Sequence, residues 1–202
     1  MSTVGPVSST AVTRSRGRPP AATREEFLEA TKRRFLAGER IDVQAICAEL
    51  GLSRATVHRW CGSRDAVIGE VMVGLVTPLF RRVARDGRGR GGERLVGVFE
   101  RQLRALAGDR AFRRFLEHER DAAQRILTAP DGVVEPRVVE LLKEEIDREV
   151  ARGYEPPSDP DVIAYAIVRM GESFLYADAS SGFRGDFDRL RHVYAALLGV
   201  TL

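Results

Sequence analysis

The chain has 202 residues, 30% of them charged and 44% hydrophobic, with a formal net charge of +3. That is an ordinary globular composition, enough for one large or two small domains, and it excludes a charge-dominated disordered chain. Two cysteines in this length exclude a disulfide framework, and the best apolar run, 66–80, is interrupted by Glu70 and too short to span a bilayer.

In chain order, residues 1–22 are rich in Ser, Thr, Val, Gly and Pro without apolar period, and are expected to form a disordered basic arm. Within it, Arg16-Gly17-Arg18-Pro19-Pro20 sets two arginines around a glycine, a pattern that suits a narrow A·T minor groove. A solubilising tail is the plainer alternative. The first twenty residues lack the apolar core of a signal peptide, so a cytoplasmic location is expected. Thr23 and Glu26 have capping-box spacing and open a helix to about Ala37.

Residues 41–63, IDVQAICAELGLSRATVHRWCGS, are the most informative stretch. Asp42 caps a short helix whose Val43, Ile46, Cys47 and Leu50 form one apolar face. Gly51 supplies a left-handed stop, Leu52 a buried turn residue, and Ser53 the cap of a second short helix. Ala55 is small enough for a close helix crossing, and Val57 faces inward. Ser53, Arg54, Thr56, His58 and Arg59 are then left pointing outward, short or cationic groups suited to phosphates and base edges. This is a helix-turn-helix layout, which places a helix in the major groove of double-stranded DNA. Arg64, just beyond, is expected to hold a phosphate. The alternative is an ordinary helical hairpin with a solvated face. Charge placement favours the first reading: residues 1–63 carry ten Lys/Arg against six Asp/Glu, and the remainder 22 against 23.

Ser63 caps a long helix to about Arg85, which Pro78 should kink. Residues 87–92 read as a flexible break. Further helices are expected over about 93–107, 109–127, 134–152, 159–179 and 186–198, with a proline-rich connection over 153–160. No strand alternation or internal repeat occurs. The fold expected is all-α, about nine helices: an N-terminal three-helix domain over 23–68 and a larger helical bundle over 69–202.

Residues 23 to about 79 resemble the DNA-binding domain of the TetR family of transcriptional regulators. Phe27 and Phe35 match its opening helix. Leu50, Gly51, Leu52, Ser53, Thr56, Val57 and His58 match its turn and second helix, with Ala48 matching less closely. Gly62, Ser63, Arg64, Asp65, Ala66 and Val67 match the start of its connecting helix. The family's usual aromatic at 58 is His and its usual Phe at 61 is Cys, with Trp60 offering aromatic bulk nearby. The run Val57 to Trp60 is closer to a QsdR-like subgroup. The resemblance implies a homodimer formed through the last two helices, a palindromic operator, and a small-molecule effector held in the bundle.

Phe99, Phe112 and Phe115 are the aromatic candidates for lining an effector site; Leu103, Leu116, Ile126, Leu142 and Ile146 are aliphatic ones. His118, Tyr165, Arg169, Glu172 and Tyr176 are the polar candidates. Residues 165, 169, 172 and 176 share one helical face, which suits either a ligand's oxygen atoms or a plain Arg169–Glu172 ion pair. Ala166, Met170, Gly171, Phe174, Leu190, Val193, Leu197 and Leu198 are small or apolar surface for a dimer, or core packing. Glu117-His118-Glu119 is not a zinc motif, because position 122 is Ala. No cofactor or metal is expected. No nucleophile elbow or phosphate-cradling loop is present, so an enzyme is not expected. The reading is an effector-responsive repressor. An architectural DNA binder and a helical enzyme remain the alternatives from other classes.

Overall fold

The computed structural model describes residues 22–129, 131–181 and 187–202. Among these the chain is helical throughout: α1 Arg24–Ala37, α2 Val43–Glu49, α3 Arg54–Cys61, α4 Arg64–Arg85, α5 Gly91–Gly108, α6 Arg110–His118, α7 Arg120–Thr128, α8 Val134–Val150, α9 Pro160–Ser181 and α10 Phe187–Leu197.

The caps read from the sequence are in place. The Thr23 amide donates to Glu26 Oε2 at 2.7 Å and the Glu26 amide donates back to Thr23 Oγ1 at 3.2 Å. Asp42 accepts from the amides of Gln44 and Ala45, Ser53 from Thr56, and Ser63 from Ala66. Gly51 has φ +65°, and the Leu52 amide donates back to the Cys47 carbonyl at 2.9 Å. A side chain would strain at that angle, so glycine sets where α2 stops.

The first three helices bury Phe27, Ile46, Cys47, Val57 and Cys61 against the start of α4, forming a small head. Both cysteines are free thiols buried as packing groups, and burial pushes both above their ordinary pKa. The expected division after residue 68 falls inside α4, which runs unbroken from the head into the bundle and continues through Pro78. Bundle packing is centred on α8, which lies against α9, α4, α5 and α7, while α5 lies against α10.

Two expectations change. The single helix expected over 109–127 is two helices. Glu119 leaves helical geometry at φ −128°, ψ 45°, ending α6 and starting α7. No Gly or Pro marks that break; its carboxylate is instead claimed by Arg64. The loop before α5 is pinned, not loose. Arg94 donates to the Ala84 carbonyl at 2.7 Å and pairs with Glu145 and Glu149 at 3.4 and 3.2 Å, all three side chains being buried. The Gly91 amide donates to Glu149 Oε2 at 2.7 Å. A buried arginine between two carboxylates thus ties the end of α4 to the start of α5 and to α8.

Candidate nucleic-acid interface and bundle cavity

Val57, only 1% exposed, fixes which side of α3 faces the head. Residues two places either side of it lie about 200° around the helix. Ala55 and Arg59 are therefore exposed, together with Ser53, Arg54 and His58. This corrects one assignment. Ala55 does not pack in a helix crossing; it belongs to the outer ridge. Thr56 is half-buried beside the ridge, with its hydroxyl 2.8 Å from Ser53 Oγ at the cap. Neither Arg54 nor Arg59 has an ion-pair partner among the described residues. The ridge combines two uncommitted guanidinium groups, an imidazole and a methyl group, a set able to meet phosphates, base edges and a thymine methyl. Arg16 and Arg18 lie outside the described residues.

Arg64 is placed differently from its sequence expectation. Its Nε donates to the Ile41 carbonyl at 2.7 Å and its Nη2 to Glu119 Oε1 at 2.8 Å. The guanidinium is part-buried and engaged within the protein, where it joins Ile41, just before α2, to the α6–α7 break. Neighbouring contacts reinforce this seam. Arg125 pairs with Asp65 at 3.0 Å, Arg114 donates to the Ala37 carbonyl at 3.2 Å, and the rings of Phe35 and Phe115 meet at 5.5 Å.

The bundle holds a partly open cavity of about 70 Å³. Its walls include Met72, Val76 and Phe80 from α4, Phe99 and Leu103 from α5, Phe112 from α6, Leu127 from α7, Leu142 from α8, Ile167 and Gly171 from α9, and Tyr194 from α10. Of the expected effector residues, Phe99, Phe112 and Glu172 line it. Phe115 is spent on Phe35 at the seam. His118 is exposed on an outer cleft beside Arg64 and Glu119, and Tyr165, 52% exposed, faces out from α9. The Tyr176 side chain lies outside the described residues. Among the aliphatic candidates, Leu103 and Leu142 line the cavity, while Leu116, Ile126 and Ile146 pack the core around it.

Polar groups cluster at one side of this cavity. Arg169 donates to Glu172 at 2.8 Å and reaches Glu135 at 3.5 Å, so the ion pair anticipated from the spacing is formed. Burial pushes the Glu172 carboxyl up to about 7, with Arg169 opposing the rise and Glu135 adding to it. The sequence signals missed Gln102, Tyr194 and Glu119. Gln102 and Tyr194 sit at regular helical positions, so no local pattern distinguishes them from surface or core residues.

A basic ridge on a capped helix-turn-helix, joined to an all-helical bundle with an apolar cavity, defines a DNA-binding regulator. The family described as Tetracyclin repressor-like, C-terminal domain, matches residues 90–199, more than half of the chain and the part of the bundle from α5 to α10. The transcriptional repressor QsdR from R. erythropolis, a TetR-family protein, is 26% identical, with a TM-score of 0.82 over 89% of this chain and 95% of that one. A TetR-like transcriptional regulator from Rhodococcus sp. RHA1 is 20% identical, with a TM-score of 0.42 over 90% of this chain and 97% of that one. No curated protein matches the sequence. The chain belongs to the TetR family of transcriptional regulators. No helix among the described residues is long and apolar enough to cross a membrane.

Proposed function

We propose that the protein is a homodimeric repressor which binds a palindromic operator through α3 and is released when a small, largely apolar molecule occupies the bundle cavity. One observation carries the reading: the helix that walls the cavity with Met72, Val76 and Phe80 begins at Arg64 and Asp65, the residues that join head to bundle. A cavity near 70 Å³ is well below the roughly 150 Å³ that holds a benzene-sized guest. A larger guest therefore has to move the walls. α4 is one wall, and α6 and α7, which meet at Glu119, supply Phe112 and Leu127. Moving them shifts the Arg64–Glu119 contact and, through the Ile41 carbonyl, the setting of α2 and α3. Two heads spaced for half-sites about 34 Å apart then lose register. The guest acts by binding the released arrangement more tightly than the DNA-bound one.

A second copy of the chain is the partner. Val162, Tyr165 and Met170 are exposed along one side of α9, with Ala166 half-buried between them. That apolar stripe suits helix-to-helix contact between protomers. Gly171, Leu190 and Leu198 are buried within the protomer instead. Tyr165 thus moves from the expected effector site to the proposed dimer face.

The test is a protection footprint on DNA flanking the protein's own gene, with the mass of the complex measured alongside. A two-fold symmetric footprint held by an even number of chains is expected. Weak, sequence-indifferent protection with a steep salt dependence favours an architectural binder, and no binding at physiological salt overturns both.

A further inference from the structure

The cavity walls are apolar almost throughout, yet one deeply buried polar atom among them has no partner. Gln102 on α5 is 2% exposed. Its Nε2 donates to the Phe80 carbonyl at 3.1 Å. That carbonyl only accepts, so it fixes the amide: turned over, Gln102 would set two oxygens against each other. Oε1 is therefore the end without a hydrogen bond. Among the described residues, Thr77 Oγ1 is the other buried side-chain atom in this state, and Thr77 is not a cavity wall. The remaining polar groups around the space are also acceptors or already committed. Tyr194 Oη donates to the Ile167 carbonyl at 3.4 Å, and Glu135 and Glu172 share Arg169.

We infer that Gln102 anchors the effector, and that the effector is a small uncharged molecule with an apolar body and one O–H or N–H group that donates to Gln102 Oε1. The inference rests on the cavity being the effector site and adds the chemistry of the guest. A buried acceptor without a donor is a standing cost, which a donor entering the cavity removes. A hydrocarbon, ether or ester of the same shape leaves the cost in place. A carboxylate guest sets a second acceptor against Gln102 Oε1, meets Glu135 and Glu172 nearby, and loses its hydration. Because Gln102 also holds the Phe80 carbonyl, the guest's polar end lies where α5 grips α4.

The experiment uses the full-length protein and two matched probes, 1-hexanol and hexyl methyl ether, with hexanoate as the charged control. Binding is read by ligand-observed NMR titration. The alcohol is expected to bind at least about tenfold more tightly than the ether, and hexanoate not at all. Gln102→Leu is expected to remain folded and to bind both neutral probes alike. Gly171→Ala places a Cβ 2.9 Å from Tyr194 Oη, narrows the same space, and is expected to weaken both probes equally. Equal binding of alcohol and ether to the wild type, or an alcohol preference that survives Gln102→Leu, overturns the anchor while leaving the cavity reading intact. Probe binding indifferent to Gly171→Ala, or no binding of either neutral probe, overturns the cavity reading and the anchor with it.

Discussion

Arg64 and Glu119 are joined by a charge-assisted contact in which one guanidinium nitrogen reaches both carboxylate oxygens, while the Arg64 Nε holds the Ile41 carbonyl. The pair spans the seam between head and bundle, and the break that exposes the Glu119 carboxylate is the point where α6 gives way to α7. The contact has a mechanical consequence: displacement of α6 or α7 reaches the residue before α2 directly through Arg64, beside the Arg114–Ala37 and Phe35–Phe115 contacts of the same seam.

Arg64→Ala and Glu119→Ala are each expected to cost on the order of 1 to 2 kcal/mol, since the pair is partly exposed and hydrogen-bonded. The double variant should cost much less than the sum. Chemical denaturation of the four proteins in a double-mutant cycle measures this. Arg64→Ala should leave the salt dependence of DNA binding unchanged, because its Nε and Nη2 are already engaged by Ile41 and Glu119. A shallower salt dependence in that variant would restore the contact expected from the sequence.

The α3 ridge separates two outcomes at Ala55. As an exposed residue, Ala55→Glu should fold normally and bind DNA poorly, because a carboxylate then faces the phosphates. Circular dichroism and a gel-shift titration read the two effects apart; loss of folding would place Ala55 in a packed crossing. Arg59→Ala should reduce the logarithmic salt slope of binding by about 1, and Arg54→Ala should cost about 1 to 3 kcal/mol and relax base preference.

Glu172 gives a pH signature. Its carboxyl titrates near 7 in the folded protein against an ordinary 4.5, because burial disfavours its charge. The folded state therefore holds this proton more tightly than the unfolded chain. The stabilisation is full below about 4.5 and is lost as pH rises through about 7. Glu172→Gln should flatten that part of the stability profile and gain relative stability at pH 8, measured by thermal unfolding across pH. A Gln variant with the wild-type slope would assign the dependence to other groups.

Arg94→Ala should be the most damaging of these changes. It leaves Glu145 and Glu149 buried with only the half-exposed Arg148 and the exposed Arg152 as cations, a loss of about 2 to 4 kcal/mol. Arg94→Lys should recover little, because a single ammonium group cannot serve the Ala84 carbonyl and both carboxylates with the same geometry. Denaturant midpoints of the two variants test this.

The sequence by itself determined what depends on neighbours a few residues away. Thr23, Asp42, Ser53 and Ser63 cap because an amide three residues or fewer ahead lacks a partner, and Gly51 stops α2 because its φ is open only to glycine. The apolar period fixed the helices, and Val57 fixed the inner side of α3. The tertiary structure alone decided the rest. Glu119 breaks a helix without Gly or Pro, in contact with an arginine 55 residues earlier in the chain. Arg64 turns inward for the same reason, Phe115 is taken by Phe35, and Gln102 becomes an unpaired acceptor because Phe80 on another helix claims its other end. Such partners are set by packing between distant segments, and short-range spacing carries no trace of them.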